Sequence, residues 1–165
     1  MAKLFIYVIF LECSSTGMYE TLASRTRRVE GLELVYVSPA IYSDPRPYAL
    51  AAYLALTSRK RVAEKMYVEV STRLLRSRQI REVQEALRRA SSECRSYVVV
   101  IASSRSLEPG ELKDVASVLG DGECRVVERV REVCRCDAPS LPAPSTELDV
   151  LDQIAVVGLS ELYVH

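Results

Sequence analysis

Tyr97-Val98-Val99-Val100-Ile101-Ala102 decides the fold of this 165-residue chain. Six apolar residues follow one another with no polar break, and four of them are β-branched. β-Branched side chains favour the extended backbone. A strand with one wet face alternates polar and apolar residues, and this one does not. The run therefore predicts a strand covered on both faces.

Working outward, Leu4 to Leu11 is a second run of the same kind. Leu32 to Val37 alternates and predicts another strand. Val126 to Val133 carries Val126, Val127, Val130 and Val133 among charges, which predicts a strand entering a short helix. The remaining segments read as helices. Ser14, Ser15 and Thr16 offer N-caps for a short helix through about Arg28, with Met18, Leu22 and Val29 as its stripe and Gly31 as its end. Pro39 to Pro47 is a loop with three prolines. Tyr48 to Leu56 sets Leu50, Tyr53 and Leu54 beside Ala49, Ala52 and Ala55, a helix able to approach its neighbour closely. Arg59-Lys60-Arg61 closes it at the negative end of its dipole.

Val62 to Leu75 fits two periods. Met66, Val68, Val70 and Leu74 alternate, while Met66, Val70, Arg73 and Leu74 fit a helical turn; length favours the helix. Arg78 to Ala90 is amphipathic, with Ile80, Val83, Leu87 and Ala90 opposite Arg81, Glu85, Arg88 and Arg89. Pro109, Gly110 and Glu111 open a helix through Leu119, which Gly120 and Gly122 end. Asp137 to Ser145 holds three prolines in nine residues and reads as a loop. Beyond it Leu148, Leu151, Ile154 and Val157 recur at helical spacing. The alternation of elements predicts an α/β (α+β) domain over residues 1–165. Its single mixed, largely antiparallel four-stranded sheet would be covered by helices.

Composition limits the chemistry. Hydrophobic residues make up 48% of the chain, enough for a proper core. The only histidine is His165, and no glycine-rich phosphate loop occurs, so histidine triads, histidine metal sites and nucleotide P-loops are not expected. The basic residues are 18 Arg to 4 Lys; the chain has no Asn, and that absence fits a heat-adapted protein. No run reaches the length of a membrane span, and Met1 to Phe10 is too short for a signal segment. The expectation is a cytoplasmic protein without a membrane partner.

Five cysteines are present: Cys13, Cys94, Cys124, Cys134 and Cys136. Without a C-x-x-C pair or a nearby histidine they do not form a zinc set, and buried or disulfide-linked thiols are expected. Cys124 with Cys134 or Cys136 is the first pairing expected.

Net charge is zero, with 22 basic and 22 acidic side chains. That zero is a sum. Arg59 to Arg95 carries 11 basic against 5 acidic side chains, and the rest of the chain carries the opposite excess.

The same basic third carries a resemblance. Lys65 to Leu87, KMYVEVSTRLLRSRQIREVQEAL, is similar to the kinase-binding small subunit of the KEOPS complex, the TPRKB-like family, with Glu69, Leu74, Gln79, Ile80 and Ala86 in matching places. Leu34 to Val37, Tyr48 to Leu56 and the closing Val150 to Val157 extend it with scattered matches. The chain departs from it where Ala63-Glu64-Lys65 and Ala90-Ser91-Ser92 replace the family's Asn and Gly. The resemblance implies a non-catalytic subunit of the complex that places threonylcarbamoyl on the adenosine beside the anticodon of certain tRNAs. Such a subunit binds and stimulates the atypical kinase/ATPase subunit and helps recruit tRNA through its 3′ CCA end. It needs no cofactor and no small-molecule substrate.

In this reading Arg59, Lys60, Arg61, Lys65, Arg73, Arg76, Arg78 and Arg81 are the RNA-binding candidates, with Tyr67 as a stacker. Guanidinium groups pair with phosphate and stack on bases, which suits a single-stranded end. The plainer alternative is a solvated helix face. Leu148, Leu151, Ile154 and Val157 either dock on the kinase or complete the core. Glu69, set among apolar residues, reads as a structural acceptor rather than a general acid or base. Two further readings stay open: a small α/β nucleotide-binding protein or enzyme, and a heat-adapted scaffold without an RNA role.

Overall fold

The computed structural model describes residues 4–58, 63–136 and 162–164. In chain order the elements are β1 (Phe5–Cys13), α1 (Tyr19–Arg25), a 3-10 turn (Thr26–Arg28), β2 (Leu34–Pro39), α2 (Arg46–Thr57), α3 (Met66–Leu75), α4 (Ile80–Ser92), β3 (Ser96–Ser103), α5 (Pro109–Gly120), β4 (Cys124–Val127) and β5 (Leu162–Val164).

The four strands β2-β3-β1-β4 lie in that order and pair antiparallel. β5 adds a short parallel pairing to β1, with Ile6 opposite Leu162, so the sheet is mixed and largely antiparallel, with a fifth strand beyond the four expected. β1 and β3 hold the centre because their apolar runs allow cover on both faces. Every residue of β3 is buried. Alternate side chains divide two cores. Ile6, Val8, Phe10, Val98, Val100 and Ala102 face α2, α3 and α4. Tyr7, Ile9, Leu11, Tyr97, Val99 and Ile101 face α1 and α5. The alanines of α2 are buried, and their small side chains let this helix lie close to the sheet and to α3.

The ambiguous stretch after Val62 is helical from Met66 to Leu75. Two details differ from the sequence reading. Ser14, Ser15 and Thr16 do not cap α1. The helix starts at Tyr19, and its first amides go to the core instead: Met18 N–H donates to the Tyr97 hydroxyl at 2.8 Å and Tyr19 N–H to Ser91 Oγ at 3.1 Å. No helix follows β4, because residues 128–136 run in bends held at the sheet end. Cys134 N–H donates to the Ala40 carbonyl there at 2.8 Å. The proline-rich stretch 137–145 and residues 148–157 lie outside the described residues.

The cysteine pairing is also corrected. Cys13 bridges to Cys124 across β1 and β4, where the two are register partners. Cys94 bridges to Cys134. Cys136 is in neither bridge. The pairing follows from strand register, which brings positions 111 residues apart together.

Arg25 is buried and joins the helices on one face of the sheet. Its guanidinium donates to the Leu119 carbonyl at 2.9 Å and the Gly120 carbonyl at 3.3 Å, and it pairs with Glu123. A cation at the carbonyl end of α5 meets the negative end of the helix dipole.

Candidate nucleic-acid interface and the neighbouring cleft

α3 and α4 meet at a tight corner. Arg76 ends α3 in the left-handed conformation at φ 51°. Ser77 N–H returns to the Thr72 carbonyl at 3.0 Å, and α4 opens at Ile80. This turn gathers Arg73, Arg76, Arg78 and Arg81 where the carbonyl end of α3 adjoins the amide end of α4. Arg76, Arg78 and Arg81 are exposed; Arg73 is partly covered and pairs with Glu69 at 3.6 Å. The grouping suits a phosphate chain, because guanidinium groups and helix-start amides both attract anions.

Lys65 is exposed but lies at the opposite end of α3. A ten-residue helix separates its ends by about 15 Å, so Lys65 is not part of the corner. Arg59, Lys60 and Arg61 lie outside the described residues, as do Leu148, Leu151, Ile154 and Val157.

Glu69 is fully buried on α3. Its carboxylate accepts the Ala63 N–H at 3.4 Å as well as pairing with Arg73. It holds the chain entering α3, the structural place read for it.

A second feature has no counterpart in the sequence reading. A cleft of about 360 Å³ opens at the outer edge of β2. Val35, Tyr36 and Val37 form its floor; Tyr19, Ala23, Thr26 and Arg27 form one wall and Tyr67, Gln84 and Arg88 the other. Tyr36 and Ser71 share a hydrogen bond of 2.9 Å between their hydroxyls, and Ser71 Oγ also reaches the Tyr67 carbonyl at 2.9 Å. Burial pushes the Tyr36 phenol well up from its ordinary value, and burial likewise raises Tyr19, so both stay neutral donors. Tyr67 is 45% exposed at the rim. Arg88 pairs with Glu20 at 2.7 Å. These residues come from five elements, so no local pattern in the sequence announces the cleft.

Among the described residues no group of three or more His, Cys, Asp or Glu side chains is placed to hold a metal ion. No helix among them is long and apolar enough to cross a membrane. No family model matches the chain, and no curated protein matches it.

Proposed function

We propose that this protein is a non-catalytic binding subunit that bridges a KEOPS-type kinase/ATPase and tRNA. The observation that carries the reading is the exposed arginine corner where α3 meets α4. It falls within Lys65 to Leu87, the stretch that resembles the kinase-binding small subunit. Positive charge on a tight helix corner suits the backbone of a single-stranded RNA end better than a duplex groove. The kinase contact is assigned to the stripe Leu148, Leu151, Ile154 and Val157, on the resemblance alone.

Two measurements test the two halves. Affinity for intact tRNA is expected to exceed that for tRNA lacking its 3′ CCA; equal affinities would refute recruitment through that end. Ile154→Glu is expected to abolish kinase binding while the circular-dichroism spectrum is kept. Loss of that spectrum would place the stripe in the core instead.

A further inference from the structure

We propose that the cleft at the edge of β2 binds a nucleoside monophosphate, with the base on the strand edge and the phosphate on Arg27 and Arg88. The site shares no lining residue with the arginine corner, and the proposal does not depend on the tRNA reading.

Strand register supplies the first reason. Ala40 N–H bonds to the Ser96 carbonyl, so Leu34, Tyr36 and Ser38 direct their backbone groups at β3. Val35 and Val37 must then direct theirs outward, into the cleft they line. No hydrogen bond among the described residues uses these outward groups. Val37 is only 3% exposed, so bulk water has little access to its groups, while Val35 is partly exposed. Buried backbone donors and acceptors are almost always paired, with protein, ligand or ordered water, so these edge groups are available to a ligand.

The order of the groups gives the second reason. The Val35 carbonyl and the Val37 N–H lie on the same side, an acceptor beside a donor. A nucleobase edge carries the complementary donor beside an acceptor. The phenol ring of Tyr67 at the rim offers a stacking surface for that base.

Charge and size complete the argument. Arg27 and Arg88 stand on opposite walls with Glu20 as the one lining carboxylate, leaving a positive balance. Planar guanidinium groups favour phosphate oxygens. The volume lies within the range of about 300–1,000 Å³ typical of small-molecule sites. An added peptide strand fits less well. Pro39 has no N–H to continue the ladder, and α1 and α3 flank the edge closely.

The test is an amide-resolved NMR titration of the full-length, isotope-labelled protein with AMP, and with ribose 5-phosphate and adenosine as partial ligands. The Val37 amide is expected to shift with AMP, each partial ligand binding at least about tenfold more weakly. Arg27→Ala and Tyr67→Ala are each expected to weaken AMP binding roughly tenfold, with the rest of the spectrum unchanged. No Val37 shift at millimolar AMP would overturn the proposal. So would an equal response to ribose 5-phosphate, or shifts confined to the amides of Arg76 to Arg81. A Val37 shift produced only by an extended acidic peptide would also overturn it, and would make the edge a strand-addition site.

Discussion

The Tyr36 hydroxyl lies 2.9 Å from Ser71 Oγ, so the edge strand of the sheet is tied to the middle of α3. This bond sets how far α3 stands from β2, and hence the width of the cleft between them. Tyr36→Phe leaves Ser71 with its bond to the Tyr67 carbonyl but removes the link across the gap. The expected loss is about 1–2 kcal/mol of unfolding free energy, read as a lower urea midpoint with an unchanged slope.

Arg25 carries more. It is 9% exposed and satisfies two carbonyls at the end of α5. Arg25→Ala leaves those carbonyls and Glu123 without their partner. A loss of about 3 kcal/mol is expected, with amide exchange in the last turn of α5 accelerated first. Arg25→Lys recovers only part, because an ammonium group cannot reproduce the planar fork.

The two disulfides close loops of different length. Loop entropy gives an upper value of about 4–5 kcal/mol for the Cys13–Cys124 bridge and about 4 kcal/mol for Cys94–Cys134, from sequence separations of 111 and 40 residues. Replacing the pairs one at a time by serine is expected to lower the thermal midpoint in two separable steps. Replacing Cys94 and Cys134 should also expose residues 128–136 to protease, since that bridge holds them to the sheet.

Asp44 provides a pH signature. Burial opposes its ionisation, but hydrogen bonds from the Arg46 side chain and N–H outweigh it and hold the carboxyl below its ordinary value of 3.8. A depressed folded value gives stability that is present above the unfolded value and lost as pH falls through the folded one. The destabilisation caused by Asp44→Asn should therefore be full at neutral pH and shrink below pH ~4. A penalty independent of pH would contradict this.

The sequence was most informative where structure is local or contiguous. The unbroken runs Leu4–Leu11 and Tyr97–Ala102 announced the two central strands, because cover on both faces leaves no room for a polar residue. The arginine corner was visible for a similar reason: Arg73 to Arg81 are neighbours in the chain, and a helix-turn-helix keeps them so. What stayed hidden depends on register between distant segments. The N–H groups opening α1 are taken by Tyr97 and Ser91, 72 or more residues away, so the serines beside the helix misled. Cysteine pairing failed likewise, since Cys13 meets Cys124 only once β1 and β4 are aligned. The cleft draws on positions from Tyr19 to Arg88 and on backbone groups that no residue type encodes.

The most direct measurement of the central claim is the salt dependence of tRNA affinity for the wild type and for an Arg76→Ala, Arg78→Ala, Arg81→Ala triple variant. All three side chains are exposed, so the fold should be kept. If each meets one phosphate of a single-stranded end, the slope of log affinity against log salt should fall by about 2, with affinity reduced at every salt concentration. Equal slopes and equal affinities in the two proteins would contradict the account and leave the corner a solvated helix face.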